Sequence, residues 1–224
     1  MNDKRAKKTG EVCFWTALII ELLIVIVDKS AYINPLESQL FRLTSLLFCI
    51  KIALTKYSTK EWGMILLFGA ILSVSYLVNE RDEAVRVAAF IAACKGMDVK
   101  RVMKVVFWTT LAGCAALMAL SLTGIYGAVS VTADYGRGGM ETRYTLGMGH
   151  PNALHCMLWL VVVLAVYCYA DVLKWYSYAA FFVMDFVLYA FTASKTGVIV
   201  WALFVVAAFA MRYSKRCREN KAAY

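Results

Sequence analysis

The chain is poor in the residues from which most active sites are built. Its 224 residues include two histidines and two prolines, and only 17% are charged. No G-x-x-x-x-G-K-[ST] occurs, so there is no phosphate loop for ATP. The absence of H-E-x-x-H and G-x-S-x-G argues against a zinc metalloprotease and a serine hydrolase. Without D-x-D nothing suggests a metal-bound nucleotide sugar, and no serine-nucleophile motif suggests a rhomboid-like protease. His150 and His155 stand five apart, about 140° around a helix, a poor spacing for one shared metal. No metal and no cofactor are expected. Six of the seven cysteines lie in or beside apolar segments and Cys217 lies in a basic tail, so they read as small packing residues rather than a disulfide framework. No A-x-A-like cleavage site follows the first apolar run, which reads as a spanning helix and not a signal peptide.

What the chain has in excess is apolar length. Hydrophobic residues make up 62%, against about half in a soluble domain, and they come in blocks. Eight such segments can be marked, at about 12–27, 38–55, 62–78, 84–98, 102–124, 150–170, 175–193 and 196–212. The expected fold is all-α: a single polytopic helix bundle over 1–224 in the lipid bilayer, with about eight transmembrane helices. The fourth segment is the weakest and is open to a half-buried or re-entrant reading. The net charge of +9 would suggest nucleic acid in a soluble protein; here topology explains it better, and no nucleic-acid partner is expected. With both termini cytoplasmic, all of the 24 basic residues lie at or near the inner face except Lys29, Arg42, Arg81, Arg86, Arg137, Arg143 and Lys195. A basic tail at about 213–224 is then cytoplasmic, and the Gly-rich loop at about 125–149 is extracytoplasmic. That loop is polar and rich in turn formers, and its length without a strong pattern points to function.

Four features could carry chemistry. In "RYTLGMGHPNALH", residues 143–155, Pro151 suits the first turn of a helix that opens outward. A helix N-terminus offers free N–H groups and partial positive charge to an anion, and His150 and Asn152 add side-chain hydrogen bonds. The simpler reading is a proline that starts a helix beside an interfacial histidine. "FTASKTGVIVW", residues 191–201, has the same form: Ser194 as N-cap, then Lys195 and Thr196. Its simpler reading is an ordinary capped helix end with a snorkelling lysine. The outer arginines Arg42, Arg81, Arg86, Arg137 and Arg143 suit bidentate phosphate binding if they converge, or else they pair with the outer acids Glu37, Glu80, Asp82, Glu83, Asp134 and Glu141. Glu21 and Asp185 lie within apolar segments, where an acid defaults to a functional or a pairing role; a structural pair ranks above catalysis for both.

The two motifs in order, "RYTLGMGHPNAL" and then "TASKTG" at 192–197, resemble the O-antigen ligase/polymerase superfamily, with the look of capsular and exopolysaccharide polymerases of Gram-positive bacteria. "AACKGMDVKRVMKVVFWTT" at 92–110 has the same look. Lys195 stands where that pattern has arginine, which keeps the charge and loses the planar fork. The resemblance implies a multi-pass protein of the bacterial cytoplasmic membrane. It would transfer a glycan from an undecaprenyl-diphosphate carrier to an acceptor glycan at the outer face. It implies diphosphate contacts for Arg143, Arg137 and Lys195, and phosphate or sugar contacts for His150 and Asn152. Arg143 and His150 are then the catalytic candidates, and Arg137, Asn152, Ser194, Lys195, Thr196, Arg42 and Arg86 the substrate-binding ones. Relatives carry further spans and a second large outer loop, so a truncated or split form is expected, with a complementing membrane fragment or a second copy as partner. The alternative is a non-catalytic protein that binds the lipid carrier or transports polysaccharide.

Overall fold

The computed structural model describes residues 3–79, 83–136 and 138–214. The chain is mostly helical. In chain order the described residues form α1 (Asp3–Asp28), α2 (Glu37–Ala53), α3 (Thr59–Asn79), α4 (Glu83–Ala93), α5 (Val99–Leu122), β1 (Ser130–Asp134), β2 (Met140–Tyr144), α6 (Pro151–Tyr169), α7 (Trp175–Thr192) and α8 (Lys195–Tyr213). Each marked segment contains a helix, because long apolar runs satisfy their backbone most simply that way. Helices α1, α3, α5, α6 and α8 are long and apolar enough to cross a membrane. The fourth segment is shorter than the sequence suggested. As described, α4 has 11 residues and rises about 16 Å, well short of a hydrocarbon core of about 30 Å. Its segment stops early because Gly96 turns the chain at φ 78°.

The residues divide into two compact units. The first comprises residues 1–25 and 34–102. Here Phe14, Phe48 and Phe90 meet in one aromatic cluster, with centroids 6.0–6.2 Å apart. Between α2 and α3, the Tyr57 hydroxyl donates to Ala92 O at 2.8 Å, and burial raises its pKa. Buried Lys51 donates to Thr55 Oγ1 and to Lys95 O, which ties α2 to the turn after α4.

The second unit comprises residues 26–33 and 103–224. Leu154, Met157, Val162, Leu188, Trp201 and Val205 join α6, α7 and α8 in its main core. The expected loop at 125–149 is an antiparallel β-hairpin at its centre, a correction to the all-α reading. The register sets Val131 opposite Arg143 and Ala133 opposite Glu141. Side chains alternate along a strand, so these four share the inner face while Thr132 and Thr142 meet on the outer one, hydroxyl to hydroxyl at 2.7 Å. Asp134 Oδ1 accepts from Gly136 N at 2.8 Å and starts the turn.

Below the hairpin the loop is anchored tightly. Gly149 N donates to Lys29 O, and Thr145 N and Gly147 N donate to Val129 O and Ala128 O. Gly147 has φ 83°, and a Cβ there would stand 2.7 Å from Leu117 O at the end of α5. Gly147→Ala is therefore expected to cost roughly 2–4 kcal/mol, combining left-handed strain with overpacking against backbone that cannot yield. Thermal unfolding in detergent measures it, and an unchanged midpoint would remove this anchoring role.

Candidate functional site

Both sequence motifs become helix starts in the second unit. His150 is the N-cap of α6: its φ is −150°, Pro151 follows at the first helical position, and Nδ1 accepts from Asn152 N at 3.1 Å. At the other motif, α7 ends on Ala193 in a left-handed conformation, φ 49°, which turns the chain sharply into α8. Ser194 occupies the N-cap position of α8, but its side chain makes no capping bond. The expected serine cap is thus corrected: the position holds and the hydrogen bond does not. The hydroxyl is instead turned toward a pocket.

That pocket, of about 360 Å³, is lined by residues of both helix starts: Asn152, His155, Cys156 and Trp159 from α6, with Ser194, Thr196, Gly197 and Val200 from the second motif. Because α7 runs back between them, α6 and α8 begin at the same end. The first turn of α8 offers N–H groups to an anion. At α6, Pro151 has no N–H, Asn152 N donates to His150 Nδ1, and Ala153 N and Leu154 N donate to His150 O, so α6 adds its dipole and side chains. Ser194 is 6% exposed, and its Oγ has no hydrogen bond to any described residue. Asn152, Lys195 and Thr196 are exposed.

Beneath the pocket lies a constellation that the sequence reading missed. His155 and Asp185 are fully buried. Nε2 of His155 lies 3.0 Å from Asp185 Oδ1, and Nδ1 lies 3.2 Å from Thr192 Oγ1. Thr192 Oγ1 also receives the backbone N–H of Ser194 at 3.4 Å. The ladder Asp185–His155–Thr192 therefore runs into the turn that starts α8. Its connectivity is that of a catalytic triad, but Thr192 is wholly buried and its hydroxyl donates to Leu188 O, so it is no nucleophile. Gly197 makes the arrangement possible. A Cβ there would stand 2.7 Å from both His155 Cδ2 and Ser194 Oγ. The signal was present in the sequence as Asp185 within an apolar segment and as a second histidine one turn into α6.

The catalytic candidates sit differently from expectation. Arg143 is buried on the inner face of the hairpin, its Nε and Nη2 donating to Glu141 Oε2, and its guanidinium lies 3.7 Å from the Tyr135 ring centroid. The Tyr135 and His150 rings meet edge to face, centroids 5.9 Å apart. Arg143, Tyr135 and His150 thus form one contact chain, and neither Arg143 nor His150 lines the pocket. The pairing of Arg143 with Glu141 is the alternative that the sequence left open.

Arg42 and Arg86 belong to the first unit. Arg42 is exposed. Arg86 is turned to an internal acid: Nε and Nη2 donate to Glu21 Oε2 at 2.9 and 2.7 Å, and Glu21 also accepts from the Thr44 hydroxyl. This is the structural pair expected for Glu21. Arg137 and Arg81 lie outside the described residues. Among the described residues no group of three or more histidine, cysteine or acidic side chains is placed to hold a metal ion.

Fold and site together define a helical, multi-pass membrane protein with a mainly apolar pocket, carrying a few polar side chains, at the paired starts of two helices. Compared with models of known families, with curated proteins and with solved structures, the chain shows no match.

Proposed function

We propose that this chain is a membrane glycosyltransferase of surface polysaccharide assembly, similar to the O-antigen ligase/polymerase superfamily. It moves a glycan from an undecaprenyl-diphosphate carrier to an acceptor glycan at the outer face of the bacterial cytoplasmic membrane. About eight helical segments, with both termini inside, frame this reading. The observation that carries it is the shared pocket, where "GHPN" and "SKTG" supply facing helix starts. The two helix dipoles, the N–H groups in the first turn of α8, and Ser194, Thr196 and Asn152 suit a phosphate whose negative charge grows as the glycan leaves. Lys195 adds a cation at the rim. The Arg143–Tyr135–His150 contacts hold the hairpin over the start of α6.

The test replaces Arg143, His150, Ser194 and Thr196 singly, by alanine or valine, in cells that make the polymer, and measures polymer length. Loss of long polymer at normal protein level is expected for the pocket residues above all. Normal polymer from all four variants defeats the active-site reading. The alternative, a non-catalytic carrier-binding or transport protein, has one observation in its favour: Arg143 and His150 both already serve structural partners. Carrier binding without any glycan transfer by the purified protein would select it.

A further inference from the structure

The hydrogen bonds around His155 fix where its protons are. A threonine hydroxyl has one proton, and that of Thr192 goes to Leu188 O at 2.9 Å. At the 3.2 Å contact with His155, Thr192 Oγ1 must accept, so Nδ1 carries a proton. Nε2 then either accepts a proton from a neutral Asp185 carboxyl or donates one to a carboxylate. Asp185 Oδ2 decides between these. It is buried and has no hydrogen-bond partner among the described residues. A carboxylate oxygen left bare in an apolar interior is far more costly than the carbonyl oxygen of a neutral acid. The resting pair is a neutral Asp185 that donates from Oδ1 to Nε2 of a neutral, Nδ1-protonated His155.

We propose that this pair is an inducible cation for the phosphate pocket. The idea rests on the reading of that pocket as a diphosphate site. His155 lines the pocket and Asp185 does not. When an anion sits on the two helix starts, the proton crosses the 3.0 Å hydrogen bond: the Oδ1–H bond of Asp185 breaks and the Nε2–H bond of His155 forms. The pair stays neutral as a whole, and nothing enters or leaves. Its positive end now faces the anion, and its negative end lies behind, on α7. In a site of low dielectric constant that dipole attracts strongly. The groups facing the ring are few. Asp185 and Thr192 come from α7, while α8 presents Gly197 and Trp201; of these only Asp185 is titratable. Cys156 lines the pocket beside the ring on α6, and Lys195 is exposed at its rim. The device supplies positive charge where leaving-group charge develops, without a permanent buried cation.

The sequence makes the test simple, because it holds only two histidines. Protein with ¹⁵N-labelled imidazoles is placed in lipid vesicles at neutral pH, and His150→Asn assigns the signals. Free protein is expected to show His155 as the neutral Nδ1–H tautomer, with one protonated and one bare ring nitrogen. Saturation with inorganic pyrophosphate is expected to make both ring nitrogens protonated. Asp185→Asn keeps a donor to Nε2 but has no proton to give. It should hold His155 neutral throughout and bind pyrophosphate roughly tenfold more weakly. Should that variant fail to fold, the wild-type spectra alone decide. A doubly protonated His155 in the free protein overturns the proposal. So does a His155 that stays neutral while calorimetry shows pyrophosphate bound. If calorimetry shows no binding at all, the diphosphate reading of the pocket fails, and the inducible cation fails with it.

Discussion

Replacing Arg86 by methionine is expected to destabilise the first unit by about 3–5 kcal/mol, the usual cost of removing one partner of a buried ion pair. Both side chains are largely enclosed, at 12% and 15% exposure. The variant leaves the Glu21 carboxylate with the Thr44 hydroxyl as its donor among the described residues. It also removes the guanidinium from the face of Phe41. The double variant Glu21→Leu/Arg86→Met deletes both charges, and should recover most of the loss. Unfolding of the single and double variants in detergent closes the cycle. A double variant destabilised by the sum of the two single losses would show that the pair contributes little coupling. The same cycle separates two roles for Arg86: a stable double variant that makes normal polymer has lost no substrate contact.

The second large effect inverts an ordinary rule. Glycine to alanine inside a helix normally gains up to about 1 kcal/mol. At Gly197 it is expected to lose roughly 2–4 kcal/mol instead, because the new methyl meets His155 Cδ2 and Ser194 Oγ at 2.7 Å. The ring cannot retreat without giving up Asp185 or Thr192, and either loss leaves a buried polar group unsatisfied. Pyrophosphate binding should fall together with stability, since Ser194 and the ring both border the pocket. Gly63→Ala and Gly69→Ala are the controls. Both lie inside α3 and a Cβ at either meets nothing within 4 Å, so both should raise the unfolding midpoint slightly and leave binding unchanged. If Gly197→Ala behaves like these controls, the tight fit between α6 and α8 does not exist in solution.

Much of this protein was written locally. Among the described residues the eight apolar segments became eight helices, with α1 starting nine residues before its segment and α4 ending five short, because a run of apolar residues has one inexpensive way to satisfy its backbone away from water. Pro151 and His150 marked the start of α6 for the same local reason: the ring has no N–H to lose and the imidazole can cap. The hairpin was less visible. Its alternation over "SVTAD" and "METRY" was present, but six glycines between 127 and 149 favoured a reading as irregular loop. Only cross-strand pairing showed Glu141 and Arg143 on one face.

Partners were a different matter. Sequence determined that Glu21 and Asp185 were unusual where they stood, because acids in apolar surroundings are costly unless satisfied. It did not determine who satisfies whom. His155 lies 30 residues from Asp185, and Glu21 lies 65 from Arg86. Such contacts depend on how helices rotate and pack against one another, which no local pattern encodes. Tertiary structure alone turned Arg143 onto Tyr135 and brought the "GHPN" and "SKTG" helix starts to one pocket, with the second histidine, rather than the first, lining it.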